Sequence, residues 1–280
     1  MSHQMARAQT FRDLHRQSGT FIIPNPFDVG SARLLAASGF PALATSSAGY
    51  AFAQGCRDHD VGRDAVMAHV ESIAAATDLP VTADLGNGFA DAPDQLAEAI
   101  GRAARAGAVG ASIEDATGRS DEPLYPLPLA VERIRAAAAA ARSQPFPFML
   151  TARADNLLVG RGDLDDVVRR LRAYQDAGAD VLYAPGLTRL DEAAAVMSAV
   201  DLPVNVVIGL HKTEFGFSEL SDLGVKRISL GSTLARVAYG ALMWAAREMR
   251  QTGTFAFAGE AVPYDEISRM LGPSGERRAP

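Results

Sequence analysis

Short apolar runs alternate along the chain with stretches whose apolar residues recur at the spacing of an amphipathic helix. One such stretch places Leu164, Val168 and Leu171 on a single helical face, and another begins at Asp91 and Pro93, which are typical of a helix start. Strands that alternate with helices of this kind favour βαβ units and parallel pairing. The eight apolar runs cover residues 21–24, 42–45, 81–84, 111–114, 148–153, 181–184, 204–208 and 227–230.

A glycine follows several of the helical stretches and precedes the next apolar run by a few residues. Gly39, Gly107, Gly178 and Gly224 occupy such positions, where glycine takes the left-handed conformation that closes a helix. The repeated order of helix, glycine and strand indicates that all strands point the same way. Eight such units predict a single (β/α)8 TIM-type barrel. An open doubly wound sheet is the alternative, although it usually has about five or six strands.

The bulk composition fits one globular enzyme-sized domain. The chain has 280 residues, of which 48% are apolar and 21% are charged, and we expect residues 1–280 to form one barrel domain with a helical extension over residues 234–280. The net charge of −6 argues against a nucleic-acid partner. The sequence contains neither a membrane-spanning apolar run nor a secretory signal over residues 1–19, so we expect a cytoplasmic protein with no membrane partner. Cys56 is the single cysteine, which excludes an intrachain disulfide.

Polar residues collect where the predicted strands end. Asp84, Glu114 and Arg153 each end one of three successive strands, and active sites of parallel barrels lie at the carboxyl ends of their strands. Neighbouring carboxylates repel one another unless a cation or a proton separates them. Oxygen ligands of this kind suit Mg²⁺, with Mn²⁺ as an alternative. The pattern therefore predicts a divalent-metal site at one mouth of the barrel.

Two further features point to an anionic substrate. Arg153 offers a planar guanidinium for a carboxylate, and Ser46 and Ser47 lie at a turn from strand to helix, where hydroxyls and backbone N–H groups bind anions. A divalent cation and an arginine around a bound oxyanion would stabilise an enolate. Stabilisation of an enolate is what retro-aldol cleavage, decarboxylation or P–C cleavage requires.

Short segments spread along the chain carry a resemblance to a known family. They are 24–28 (PNPFD), 45–49 (TSSAG), 55–58 (GCRD), 81–84 (VTAD), 113–115 (IED) and 152–155 (ARAD). With these segments the chain resembles the isocitrate lyase/phosphoenolpyruvate mutase superfamily, over about residues 21–234. That superfamily includes 2-methylisocitrate lyase, oxaloacetate decarboxylase and phosphonopyruvate hydrolase.

The resemblance implies roles for individual residues, some of which carry more than one. The implied metal site consists of Asp58, Asp84 and Glu114. The implied substrate-binding residues are Ser46, Ser47, Ala48, Arg153 and Asn205. The implied catalytic residues are Arg153, Glu114 and Asp58.

Two departures from the family pattern limit what the resemblance implies. The family usually has Asp-x-Asp at the third strand, but the first position here is Thr82, which leaves Asp84 as the main metal ligand. Lyases of the isocitrate type carry a loop with a cysteine acid/base after the fourth strand, and residues 116–125 contain no Cys, Lys or His. Cleavage of isocitrate or methylisocitrate by the usual mechanism is therefore disfavoured. His59 and His211 are candidate acid/base groups, or simply exposed loop histidines.

The leading hypothesis is a Mg²⁺-assisted carbon–carbon lyase that cleaves or decarboxylates a small 2-oxo or 2-hydroxy acid through an enolate. A phosphonopyruvate-type hydrolase or mutase is one alternative, and a non-catalytic barrel that binds a 2-oxo acid is the other. The resemblance also implies a homo-oligomer, a dimer or a tetramer, in which C-terminal helices are swapped between subunits. The apolar residues of that region are Tyr239, Leu242, Met243 and Trp244.

Overall fold

Eight short parallel strands form the centre of the molecule in the structure, a computed structural model that describes residues 3–272. They run in the order β1-β8-β7-β6-β5-β4-β3-β2 around the sheet. The backbone N–H of Ala44 donates to the carbonyl of Pro24 at 3.1 Å, which joins the two edges. The predicted (β/α)8 barrel is confirmed. The strands are β1 (Phe21–Ile23), β2 (Leu43–Ala44), β3 (Val81–Asp84), β4 (Gly110–Glu114), β5 (Met149–Arg153), β6 (Val181–Tyr183), β7 (Val204–Val207) and β8 (Arg227–Ser229).

Helices cover the outside of this barrel and connect successive strands. Left-handed glycines close several of them as predicted: Gly107 has φ +95° and Gly178 has φ +101°. The helix predicted to start at Asp91 and Pro93 begins at Pro93 after Ala92, and Asp91 does not cap it. Asp91 instead accepts a hydrogen bond from the Tyr125 hydroxyl at 2.5 Å. The connecting helices are α2 (Val29–Ala37), α3 (Ser47–Ala53), α4 (Arg63–Ala76), α5 (Pro93–Arg105), α6 (Leu127–Arg142), α7 (Leu164–Asp176), α8 (Leu190–Ala199) and α9 (Phe217–Asp222).

An N-terminal helix that the sequence pattern did not predict, α1 (His3–Arg16), closes the amino-terminal end of the barrel. Phe11 of α1 is buried in one cluster with Phe21, Ile23 and Met149 from the strands. The helix buries only a narrow stripe of its surface, so its apolar periodicity is weak in the sequence. The opposite, carboxyl-terminal end of the barrel remains open for a site.

The apolar core lies between the sheet and the helices, because the outward faces of the strands are apolar. Ala83, Ile113 and Leu150 are fully buried in this layer. The inward faces instead carry many buried polar groups, among them Thr82, Thr151, Asn205 and Arg227. Bulky branched residues usually fill the interior of such barrels, so a polar interior indicates that this one serves chemistry as well as packing.

Three C-terminal elements follow the barrel: α10 (Thr233–Thr252), a 3₁₀ turn (Ala256–Glu260) and α11 (Tyr264–Leu271). Large apolar side chains on this segment face solvent, and Val237, Leu242 and Trp244 are 65%, 61% and 47% exposed. The last part of the predicted 234–280 extension, residues 273–280, lies outside the described residues. Within residues 3–272, no helix has the length and apolar character needed to cross a membrane.

Candidate active site

A pocket of about 610 Å³ opens at the carboxyl ends of the strands. Seven of the eight residues that the sequence analysis assigned to a site line it: Ser46, Ser47, Ala48, Asp58, Asp84, Glu114 and Arg153. Asn205 does not line this pocket; its side chain lies deeper in the barrel, where it donates to the Ser229 hydroxyl at 2.9 Å. The pocket thus brings together the charged residues at the strand ends. Side chains two residues apart on a strand share a face, which is why these residues point to the same side.

A buried group of three ions forms the wall of the pocket at β4 and β5. Nη1 of Arg153 lies 3.0 Å from Oε2 of Glu114. The same guanidinium binds Asp155 with two hydrogen bonds, from Nε to Oδ1 at 2.5 Å and from Nη2 to Oδ2 at 2.9 Å. Two carboxylates therefore share one arginine. Bidentate pairs of this kind fix geometry as well as charge, so the position of Arg153 is set before any substrate arrives.

The balance of charge in this wall is negative. Burial raises the pKa of Glu114 well above its ordinary value, and the carboxylates of Asp155, Asp84 and Asp58 add to that effect while Arg153 opposes it. Burial likewise raises the pKa of Asp155 to about 6, against the pull of Arg153. One arginine does not neutralise this set of carboxylates, so the pocket favours an added cation or proton.

Asp84 ends β3 and is tied to the strands on both sides. Its Oδ2 accepts the backbone N–H of Ser47 at 3.0 Å, and its Oδ1 accepts the Ser112 hydroxyl at 3.3 Å. The backbone N–H of Asp84 donates to the Thr45 hydroxyl at 2.9 Å. These bonds hold the carboxylate at the pocket wall and join it to the turn after β2.

The turn of Ser46, Ser47 and Ala48 opens helix α3. The Ser46 hydroxyl caps the helix by accepting the N–H of Gly49 at 3.1 Å. The N–H of Ala48 is among the first-turn groups that an α-helix leaves without an intrahelical acceptor. This turn therefore presents an amide and the Ser47 hydroxyl to the pocket, which is the donor set expected for a carboxylate ligand.

Asp155 is a pocket residue that the predicted site did not include. It lies two residues after Arg153, and a buried network holds it: Oδ1 of Asp115 accepts the backbone N–H of Asp155 at 2.8 Å. Asp115 in turn accepts bonds from Arg170 at 3.0 Å and from the Tyr174 hydroxyl at 2.5 Å. The two-residue spacing of Arg153 and Asp155 was the only sign in the sequence that the two side chains could pair. The bonds from Arg170 and Tyr174 on α7 depend on the fold and leave no local pattern.

Asp58 and His59 lie in the loop after α3, at the mouth of the pocket. Nε2 of His59 is 3.8 Å from Oδ2 of Asp58, and both side chains are partly exposed. His59 has φ +70°, an uncommon conformation for a residue with a side chain. His211 does not line the pocket. Of the two histidines singled out as acid/base candidates, the structure brings only His59 to the site.

The pocket's donor set fits a magnesium ion of the usual partly hydrated kind. Among residues 3–272, no three His, Cys, Asp or Glu side chains are grouped so that they could hold a metal by themselves. Mg²⁺ commonly binds through one or two carboxylates, several waters and substrate oxygens. Carboxylates outnumber cations around Glu114, and this excess of negative charge would attract such an ion. Asp84 would bind it directly, and Glu114 and Asp58 would bind it through water.

A (β/α)8 barrel with an acidic, arginine-containing pocket at its strand ends defines a broad class of enzymes. Comparison with known proteins narrows that class. The family model for phosphoenolpyruvate phosphomutase matches residues 11–250, and the chain belongs to this family. An uncharacterised protein of Mycobacterium tuberculosis is 32% identical over 265 residues, covering 94% of this chain and 96% of the other. The 2-methylisocitrate lyase of Escherichia coli is 29% identical over 220 residues, covering 76% and 72%.

Solved structures agree with this assignment. A Burkholderia cenocepacia J2315 protein, named only provisionally as a lyase/mutase, has a TM-score of 0.95 and 57% identity, covering 98% of each chain. Oxaloacetate acetylhydrolase in complex with oxalate has a TM-score of 0.84 and 26% identity, covering 96% of this chain and 94% of the other. The predicted superfamily is confirmed, and the chain is an enzyme of the lyase and mutase class.

The ion group of Glu114, Arg153 and Asp155 predicts a large loss of stability when the arginine is removed. Arg153→Met would leave two buried carboxylates without a counterion, so we expect the free energy of unfolding in urea to fall by about 3–5 kcal/mol. Arg142→Met is the matched control, because Arg142 pairs with Asp180 at the surface and should cost at most about 1 kcal/mol. Equal losses in the two variants would contradict this account of the wall.

Proposed function

We propose that this protein is a Mg²⁺-assisted lyase that cleaves or decarboxylates a small 2-oxo or 2-hydroxy acid through an enolate. The observation that carries the proposal is the juxtaposition, in one pocket, of a carboxylate-binding turn at Ser46–Ala48, the metal-ligand candidate Asp84 and the fixed cation Arg153. The relatives named 2-methylisocitrate lyase and oxaloacetate acetylhydrolase support a small acid as substrate.

Each group has a definite task in this proposal. The Ala48 amide and Ser47 hydroxyl bind the substrate carboxylate. Arg153 holds Glu114 and Asp155 in place, and its N–H groups that bind neither carboxylate would bind a second anionic group of the substrate. A magnesium ion held by Asp84, with Glu114 and Asp58 reached through water, would supply the positive charge that lowers the energy of an enolate.

The proton that quenches the enolate carbon requires a donor, and His59 is our candidate. It lines the pocket beside Asp58, and histidine is the side chain that most often acts as a general acid or base. The loop of residues 116–125, where isocitrate-type lyases have their cysteine, contributes Ala116, Gly118, Arg119, Ser120 and Pro123 to the pocket. None of these side chains exchanges protons readily at neutral pH. Decarboxylation places the least demand on such a donor, which favours a 2-oxo acid decarboxylase as the subtype.

A panel of acids tests the reaction. We expect the protein with Mg²⁺ to release pyruvate from oxaloacetate above the rate of the uncatalysed reaction, and a chelator to abolish that activity. Phosphate released from phosphonopyruvate would instead support the hydrolase alternative, and pyruvate from 2-methylisocitrate would show that the missing cysteine is dispensable. Tight binding of pyruvate without turnover of any acid would replace the proposal with the non-catalytic alternative.

Asp84 provides the test of the metal site. Asp84→Asn keeps the shape of the side chain and removes its charge, so we expect at least about tenfold weaker Mg²⁺ binding by calorimetry and about 10²-fold lower turnover. Asp64→Asn is the control, since that carboxylate is 85% exposed and pairs with Arg102 at the surface. Unchanged Mg²⁺ affinity in Asp84→Asn would remove Asp84 from the metal site.

We further propose that the protein is a homo-oligomer, a dimer or a tetramer, joined through α10. The support is the exposed apolar surface of that helix, which includes Leu242, Met243 and Trp244; patches of this kind mark protein–protein contacts. Sedimentation should give a mass of at least twice the monomer, and Trp244→Glu should shift it toward the monomer. A monomeric wild-type protein at micromolar concentration would contradict the proposal.

A further inference from the structure

A second, smaller cavity of about 60 Å³ lies in the interior of the barrel. Its lining includes Asp84, Arg153 and Tyr183, which also line the large pocket, and it adds Thr82 and Arg227. A polar cavity of this size has room for a few atoms, such as two waters or one small ion. The mechanism proposed above uses neither Thr82 nor Arg227.

Arg227 is a buried cation with only neutral hydrogen-bond partners. Nε donates to Asn205 at 2.8 Å, Nη2 donates to Thr151 at 3.1 Å, and Nη1 lies 3.4 Å from His15. The side chain is 4% exposed. Among residues 3–272, no carboxylate lies within ion-pairing distance of its guanidinium, whereas Arg153 has two. Burial accordingly lowers the pKa of Arg227 to about 10.

His15 does not supply the missing negative charge. Its Nδ1 lies 2.8 Å from the carbonyl of Phe11, so Nδ1 carries the proton and donates, and Nε2 is left as a neutral acceptor for Arg227. Burial and the nearby charge of Arg227 lower the pKa of His15 to about 3. The three hydrogen bonds of Arg227 therefore satisfy three of its five N–H groups, but their neutral partners do not balance its positive charge.

Two other buried arginines have negative charge nearby. Arg170 pairs with Asp115 at 3.0 Å. Arg133 donates to the backbone carbonyls of Asn87, Ala90 and Asp91, its guanidinium lies over the Tyr125 ring at 4.1 Å, and the Asp91 carboxylate opposes the lowering of its pKa by burial. A buried charge is costly unless an opposite charge or a full set of hydrogen bonds compensates it. Within residues 3–272, Arg227 has no carboxylate partner and three hydrogen bonds for its five N–H groups, which indicates that a further group completes its surroundings.

Thr82 marks the same cavity independently. Its hydroxyl Oγ1 is buried and has no hydrogen-bond partner among the described residues, and it lines the cavity together with Arg227. The carboxylate of Asp84, which also lines the cavity, already accepts bonds from Ser47 and Ser112. A cation and an unused hydroxyl donor thus share one small space, and both favour an anion there.

We propose that this inner cavity binds one small monovalent anion, of the size of chloride or formate, between Arg227 and Thr82. The anion supplies the countercharge that residues 3–272 do not provide, and the Thr82 hydroxyl donates to it. The site differs from the substrate site, because its donors lie inside the barrel and the substrate carboxylate is assigned to the turn at Ser46. Its occupancy does not depend on any catalytic turnover.

Bromide locates the site directly. Crystals soaked in sodium bromide and measured at the bromine absorption edge should show an anomalous peak in the inner cavity, in contact with Arg227 and Thr82. Crystals of Arg227→Met, which keeps an unbranched apolar stem and removes the charge, should lack this peak. A cavity that holds only water in the bromide-soaked wild-type crystals would overturn the proposal. A formate soak distinguishes a carboxylate from a halide as the better ligand.

Thermal stability gives a second readout in solution. The melting temperature of the wild-type protein should rise with chloride at constant ionic strength, with sodium gluconate as the balancing salt because its anion is too large for the cavity. Thr82→Val, which removes only the hydroxyl, should weaken the apparent chloride affinity roughly tenfold. This variant keeps the test valid even if Arg227→Met does not fold. Identical chloride dependence in wild type and Thr82→Val would contradict the assigned site.

Discussion

The shared arginine at the top of the fifth strand is the interaction on which the pocket depends. Arg153 binds Glu114 from the fourth strand and Asp155 from its own loop, so one guanidinium fixes two carboxylates at a common edge. Three ions buried together are stable only if each remains paired. The wall is therefore rigid, and its negative balance is a property of the fold rather than of a bound ligand.

That negative balance explains why the site suits a cation and an anionic substrate at once. Burial and the neighbouring carboxylates raise the pKa of Glu114, while the serine turn at residue 46 offers hydrogen-bond donors to the same pocket. A divalent cation between these two features would be attracted by the wall and would itself attract an acid. The interior beneath the pocket has the opposite imbalance, because Arg227 there binds only neutral groups among residues 3–272.

Much of this arrangement follows from local sequence rules. The two-residue period of the strands places Thr82 with Asp84 and Thr151 with Arg153, and parallel pairing brings the three charged strand ends to one mouth. What the sequence did not reveal depends on contacts across the barrel. Asn205, a substrate-binding residue by resemblance, hydrogen-bonds to Ser229 and Arg227 in the structure. Such buried networks join residues far apart in the chain, which no local pattern records.

The most direct test of the central claim is a crystal structure of the protein with Mn²⁺ and oxalate, a stable dianion that resembles an enolate of a 2-oxo acid. The account predicts an anomalous manganese peak beside Asp84, with oxalate between that ion and the turn at Ser46 and with Arg153 still bound to Glu114 and Asp155. Manganese bound elsewhere, or oxalate absent from this pocket, would contradict it.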